Sequence, residues 1–356
     1  MPVIHQFAPI VLYGDAVGNQ VIAMREWLVA RHYDSRVYAP SWDPRFASFC
    51  ETPDHYPSDP DNTVILHNCI GTPMSDFALT LADRVVPYYH NITPPGFYER
   101  YDQNLTQALV QGREQLRDHR NAPYALAGSE YNRLEMIEAG YARVDVLPYF
   151  SNTARLSGLL NREKAQPIFE TYRDGWMNWL FVGRLAPNKR QDNVIKAFRY
   201  YHALINPYSR LLLVGTESTP QFAAECAALV EKLGLASSVV FAGHVPDDVL
   251  GAYYEVANVF VSMSEHEGFG APVIEAMQQG VPVVALNSTG IAMTMGDAGA
   301  LVKEARPEAV GELVESIRQD KALRQSLLQR QRARVADFSL EAAAAALARA
   351  VSVMTH

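Results

Sequence analysis

The sequence predicts an α/β protein built from two doubly wound domains that face each other across a cleft. Three observations carry this. Short apolar runs alternate with longer helix-period stretches almost throughout the 356 residues, which is the pattern of repeated βα units and parallel sheets. The alternation breaks once, over residues 150–178, where Ser, Asn, Pro and Gly accumulate, and then restarts with a fresh strand. The length also suits about two domains, each with its own core. The chain divides accordingly into an N-terminal domain (1–160), a linker (161–178), a C-terminal domain (179–335) and a terminal helix (336–356).

In the first block, residues 3–7 read as a strand and residues 20–31 as a helix with Val21, Met24, Trp27 and Leu28 on one face. Strands follow at 35–38, 63–67, 84–90, 124–127 and 144–147, with helices near 76–82, 98–118 and 131–139; Gly140 stands where a C-cap glycine would. In the second block, strands are expected at 179–182, 211–214, 239–242, 259–263 and 282–286, with helices at 192–204, 221–233, 247–256 and 272–279. The tail is helical at 307–318, 323–335 and 340–351; the last run is alanine-rich, has high helix propensity and is expected to pack closely on the body.

Composition narrows the function. A formal net charge of −8 argues against a nucleic-acid partner. Cys50, Cys69 and Cys226 are widely spaced, with neither metal spacing nor a disulfide framework, so a reducing, cytoplasmic setting is expected. The N-terminus lacks a charged region followed by an apolar run, so no signal peptide is expected, and no apolar stretch approaches a membrane span. Residues 97–120 mix aromatic, apolar and basic side chains; they read as a solvated amphipathic helix, with peripheral contact at the inner membrane face as the alternative. Asp59-Pro60-Asp61 mimics a D-x-D metal motif but lies in a proline-rich loop without supporting context, so no metal site is expected. The oligomeric state is not legible.

The most informative stretch runs Glu265-His266-Glu267-Gly268-Phe269-Gly270-Ala271-Pro272, then Glu275-Ala276-Met277 and Gly280-Val281-Pro282-Val283-Val284. A buried strand ends in a glycine loop that opens a helix, with Pro272 in the first turn where a missing N–H costs nothing. Gly268 and Gly270 let backbone amides approach a ligand at a helix N-terminus. Glu267 in the loop and Glu275 in the helix suit a polyhydroxylated ligand, because a carboxylate accepts from two vicinal hydroxyls at once. Upstream, Gly183-Arg184-Leu185-Ala186-Pro187-Asn188-Lys189 places two cations at the end of a strand, where a doubly wound sheet binds ligands.

Together these residues resemble the E-x7-E and G-R-L-x-P-x-K segments of retaining glycosyltransferases of family 4, which have the GT-B fold. The resemblance covers most of the chain and is strong from Trp179 to about Val284. It implies transfer of a hexosyl group from a UDP- or GDP-sugar to a glycan or lipid-linked acceptor with retained configuration, without a cofactor. It also implies a C-terminal helix packed back on the N-terminal domain. Glu267 would lie by the donor sugar and Glu275 on the ribose; Gly268, Phe269 and Gly270 would hold the sugar or phosphates, and Arg184 and Lys189 the leaving diphosphate. Val245, in Phe241-Ala242-Gly243-His244-Val245, matches the segment that meets the base. In the N-terminal domain, Gly14, Asp15 and Gly18 resemble the glycine loop near diphosphate and acceptor, His90 matches a histidine contacting the donor sugar, and His67 neighbours it. Ser129 opens a turn that resembles one lining the acceptor cleft. The Gly14–Gly18 turn is no G-x-G-x-x-G fingerprint, so a nicotinamide site is poorly supported. Two segments depart from the family: Ile291-Ala292-Met293 stands for I-P-E after Gly290, and Tyr149 replaces the asparagine of V-L-P-N. A sugar-nucleotide epimerase or a phosphorylase on the same architecture is the alternative, and a silent nucleotide-sugar-binding module is a third reading.

Overall fold

A computed structural model of the protein describes residues 2–150 and 158–355; residues 151–157 of the irregular stretch expected at 150–178 lie outside the described residues. The chain forms two compact units, one of residues 1–151 with 338–356 and the other of residues 152–337.

The first unit contains β1 (Ile4–Phe7), α1 (Ala16–Val29), β2 (Val37–Tyr38), β3 (Cys50–Glu51), β4 (Thr63–Asn68), α2 (Pro73–Ala78), β5 (Arg84–Tyr89), α3 (Gln103–Asp118), β6 (Ala125–Ala127), α4 (Glu130–Glu138) and β7 (Val144–Val146). Its seven strands are parallel, in the order β3-β2-β1-β4-β5-β6-β7. The chain therefore winds outward from β1 in one direction and then in the other, with the reversal between β1 and β4. The central strands are buried on both faces, so β4 carries Val64, Ile65 and Leu66 in succession rather than alternating.

The second unit contains α5 (Arg162–Tyr172), β8 (Met177–Val182), α6 (Gln191–Leu204), β9 (Ser209–Val214), α7 (Pro220–Lys232), β10 (Val239–Gly243), α8 (Asp247–Val256), β11 (Val259–Ser262), α9 (Ala271–Gln278), β12 (Val283–Leu286), α10 (Thr289–Met295), β13 (Ala300–Val302), α11 (Pro307–Gln319) and α12 (Lys321–Val335). The sheet is parallel, in the order β10-β9-β8-β11-β12-β13, so its reversal lies between β8 and β11. Trp179, fully buried on β8, meets Phe198 and Tyr201 of α6 edge-on and tilted, fixing helix to sheet.

The terminal helix, α13 (Leu340–Met354), belongs to the first unit. Ser339 caps it through the Ala342 amide, and Ala346, Leu347, Ala350, Val351 and Met354 pack among Ile4, Met24, Leu28, Ile65, Val86 and Tyr88. The alanines let the helix lie close, while Leu347, Val351 and Met354 each contribute about 1.5–3 kcal/mol by burial. This is the packing expected of the tail.

The stretch expected as a linker with room for a helix does contain one. Residues 162–172 form a helix of the second unit, and β8 already begins at Met177. α5 is held to α8 by Asn161 N–H on the Asp248 carbonyl (2.7 Å), Lys164 on Asp248 (2.6 Å) and Arg173 on Glu255 (2.9 Å). Pro167 inside the helix removes one backbone donor.

Candidate functional site

Open α/β sheets bind ligands beyond the carboxyl ends of the strands, at the reversal point. In the second unit that places the loops after β8 and β11 side by side, and a buried asparagine joins them. The Asn188 carbonyl accepts from the amides of Glu265 (2.9 Å) and His266 (3.4 Å), and its side-chain amide donates to the His266 carbonyl (3.0 Å). The next turn closes on Arg190, a non-glycine residue at φ 51°, whose guanidinium is held by Asp192 (2.9 Å) and Glu265. Such a left-handed position costs on the order of 1 kcal/mol or more and persists because these bonds over-determine it.

The two loops bring Lys189 and Glu267 into a direct ion pair, with side chains only 17% and 14% exposed. An ion pair this far from water gains little net stability, but removing either partner strands the other charge. The backbone of Glu267 is gripped from the far side: its N–H donates to Thr289 Oγ1 (3.0 Å) and its carbonyl accepts from the Gly290 amide (2.9 Å). A methyl group at Gly290 would lie 2.3 Å from the Gly268 carbonyl oxygen, so only glycine lets α10 approach this loop. Gly270, at φ 85°, then turns the chain into α9 and, as its N-cap, brings no capping side chain to it. Ile291 is buried beneath that turn, 3.2 Å from where a Gly270 side chain would begin.

The structure places the other predicted residues individually. Glu275, on α9, accepts a hydrogen bond from the Tyr254 hydroxyl of α8 (2.7 Å). Burial, and then the Glu275 charge, push the Tyr254 phenol well above its ordinary value, so it stays protonated and donates. Arg184 is exposed, and its carbonyl accepts from the Gln191 side chain (2.8 Å). Gly268 is half-buried, and Phe269 is buried enough that a ligand would meet its backbone. Val245 is half-buried in the turn between β10 and α8.

In the first unit, the loop after β1 is shaped by its own residues. Gly14 sits at φ 83° and donates to Asn19 Oδ1 (3.2 Å); the Asp15 carboxylate caps α1 through the Val17 and Gly18 amides (3.1 and 3.2 Å). Gly18 is buried, and a methyl there would meet the Leu12 carbonyl oxygen at 2.1 Å. Gly18 therefore lets loop and helix close together and offers no surface to an acceptor. Ser129 is likewise the N-cap of α4, accepting from Asn132 N–H (3.1 Å). His67 and His90 do come together, Nδ1 to Nε2 at 2.8 Å, and are 1% and 6% exposed. The other ring nitrogen of His90 meets the Tyr149 hydroxyl (3.0 Å), so a ring contact from His90 to a donor sugar requires one of these bonds to give way.

Asp59 and Asp61 form a turn, Asp61 N–H on Asp59 Oδ1 (2.9 Å), and among the described residues no group of three or more His, Cys, Asp and Glu side chains could hold a metal ion. No helix of the described residues is long and apolar enough to cross a membrane. Sequence reasoning missed Asn188, Tyr254 and the Thr289–Gly290 grip. Asn188 occupies a variable position of its motif, and Tyr254 lies on another helix from Glu275, so neither spacing nor composition marks them.

Residues 177–334 match the sequence model of the family described as glycosyl transferases group 1, which is nearly the whole of the second unit. The O-antigen chain mannosyltransferase B of Escherichia coli is 26% identical over 262 residues, 73% of this chain and 68% of that protein. A D-inositol 3-phosphate glycosyltransferase of Acidothermus cellulolyticus is 32% identical over 201 residues, 53% of this chain; the match spans only 42% of that protein, under half its length. Among solved structures, a sucrose-phosphate synthase from Thermosynechococcus elongatus superposes with a TM-score of 0.77 at 19% identity, covering 99% of each chain. WaaG, described as a glycosyltransferase involved in lipopolysaccharide biosynthesis, gives 0.72 at 16% identity, covering 96% of this chain and 98% of its own. The two Rossmann-like units are those of the GT-B fold.

Proposed function

We propose that the protein transfers a hexosyl group from a nucleoside-diphosphate sugar to a glycan or lipid-linked acceptor, with the anomeric configuration retained. The observation that carries this reading is the Lys189–Glu267 pair, held between the two loops at the reversal point of the second unit. When the glycosidic bond to the diphosphate breaks, the leaving group gains negative charge, and a fixed cation at that place stabilises the transition state more than the ground state. Lys189 and the exposed Arg184 fill this role. Glu267 keeps Lys189 in position and accepts from sugar hydroxyls; Glu275, oriented by Tyr254, accepts from the ribose. Val245 contacts the base, the amides of Gly268, Phe269 and Gly270 face the sugar and phosphates, and the strand ends of the first unit serve the acceptor. The donor is a UDP- or GDP-sugar; the name of the Escherichia coli relative favours a mannosyl group.

The test is a thermal-shift screen with nucleoside diphosphates and their sugars, followed by acceptor-dependent release of nucleoside diphosphate. A ligand that binds only the folded state raises the melting temperature. Nuclear magnetic resonance of the product reads the anomer. Conversion of the donor without acceptor, or a requirement for inorganic phosphate, would replace this reading by an epimerase or a phosphorylase.

A further inference from the structure

Four side chains of the first unit form a buried line whose hydrogen bonds can run in only one direction. Gln6, fully buried on β1, donates its amide to the Val21 carbonyl of α1 (3.1 Å). Its Oε1 therefore faces His67 Nε2 (3.0 Å) and can only accept, so His67 carries its proton on Nε2. His67 Nδ1 is then an acceptor, and His90 must place its own proton on Nε2, 2.8 Å away. That leaves His90 Nδ1 bare, to accept from the Tyr149 hydroxyl at 3.0 Å, nearer than the His90 carbonyl, the other acceptor of that hydroxyl, at 3.4 Å. Burial alone pushes His67 down to about 3; burial, then the neighbouring His67, pushes His90 well below its ordinary value, so both rings are neutral. The groups facing the line are Tyr88, whose ring lies against both imidazoles and whose hydroxyl takes Gln20, and Asp15 and Cys69, which act on Tyr149.

Tyr149 is the half-buried end of the line. Its ring lies over Gly128, where a side chain would begin 2.9 Å from Tyr149 Cε2, beside the ends of β4 and β5. We propose that Gln6, His67 and His90 are positioning residues forming an uncharged strut of fixed polarity, and that it aims Tyr149 at the ligand which the first unit binds. This rests on the transferase reading, with the acceptor hydroxyls as that ligand. A neutral strut suits hydroxyl groups and gives a phosphate no counter-charge.

The experiment has three arms. Imidazole 15N spectra of the unmodified protein should show His67 and His90 as neutral Nε2–H tautomers between about pH 5 and 8; an Nδ1–H tautomer or an imidazolium in that range overturns the proposal. Gln6→Glu replaces the amide by a carboxylate beside His67 Nε2. It should charge His67, move the His90 proton to Nδ1 and turn Tyr149 into an acceptor. The acceptor kcat/KM should then acquire an acid limb that the parent lacks, and a charged His67 with the parent's pH profile would refute the strut. Tyr149→Phe, at a half-buried position, covers the case in which Gln6→Glu does not fold. It should raise the acceptor KM about tenfold while leaving the nucleoside diphosphate Kd unchanged, and an unchanged KM overturns the role of Tyr149. Absence of any acceptor-dependent turnover in the parent would strike the transferase reading instead, and the spectra would still test the strut.

Discussion

Gly290→Ala perturbs the loop after β11, proposed above to hold the donor, without touching any side chain assigned to the chemistry. The added methyl group would sit 2.3 Å from the Gly268 carbonyl oxygen and 2.6 Å from that of Glu267, where ordinary contact begins at 3.4 Å. Both obstacles are backbone, so no side-chain rotation relieves them, and the loop must retreat by about 1 Å or α10 must shift. Retreat lengthens the Gly290 N–H to Glu267 carbonyl bond, now 2.9 Å, and carries the Glu267 carboxylate away from Lys189. A displacement of that size at a reacting centre costs on the order of 100-fold in rate. The assay is kcat/KM from acceptor-dependent release of nucleoside diphosphate, with near-ultraviolet circular dichroism to confirm native packing. We expect a loss of about 100-fold in kcat/KM in a folded protein. Turnover within about twofold of the parent would show that the position of this loop does not govern the reaction.

Other perturbations separate the roles within the site. Lys189→Ala should cut kcat on the order of 100-fold or more, the cost of removing one preorganised cation; normal turnover at saturating donor would reject its assignment. Glu275→Ala should weaken both donor and free nucleoside diphosphate in titration calorimetry, whereas Tyr254→Phe keeps the carboxylate but releases it and should weaken them by less, about threefold to tenfold; equal affinities in all three proteins would take Glu275 out of the ribose site. The histidine pair makes stability depend on acid. His67 is held at about 3 in the fold, and His90 is also lowered, against 6.5 for an ordinary histidine. The unfolded chain therefore binds more protons below 6.5, and stability should fall as pH drops from there towards 3, by roughly 1.4 kcal/mol per pH unit from His67, with His90 acting in the same direction. Urea unfolding of His67→Gln should show a shallower dependence, and identical slopes would mean that His67 is not buried neutral.

The fold was largely legible because parallel strands buried on both faces write themselves as unbroken apolar runs. Residues 211–214 and 259–263 could hardly be anything else, and the structure has β9 and β11 there. What escaped was too short or too interrupted to show a period. β3 has two residues and β13 three, below any repeat. α10 has seven residues and opens with Thr289-Gly290, and Pro167 left the helix expected within the linker without bounds. α1 begins at Ala16, four residues before its apolar stripe declares itself, because Gly14, Asp15 and Gly18 serve the turn and the cap.

The site divides along the same line between what is contiguous and what is assembled. Glu267, Gly268, Gly270 and Glu275 sit on one loop and one helix, so their spacing alone places them, and the cations of the β8 loop follow from the rule about strand ends. The groups that orient them come from elsewhere in the chain. Tyr254 reaches Glu275 from α8, Asn188 ties one loop to the other by backbone bonds, and Gly290 matters for the volume it leaves empty. A sequence records the identity of such residues but not their partners. The polar line from Gln6 to Tyr149 is the extreme case, since its residues lie far apart on β1, on β4, just after β5 and on the segment after β7, and each alone reads as an ordinary buried polar group. Only the order of donors and acceptors gives it a direction, and that order begins with a single carbonyl, Val21, which admits one orientation of Gln6.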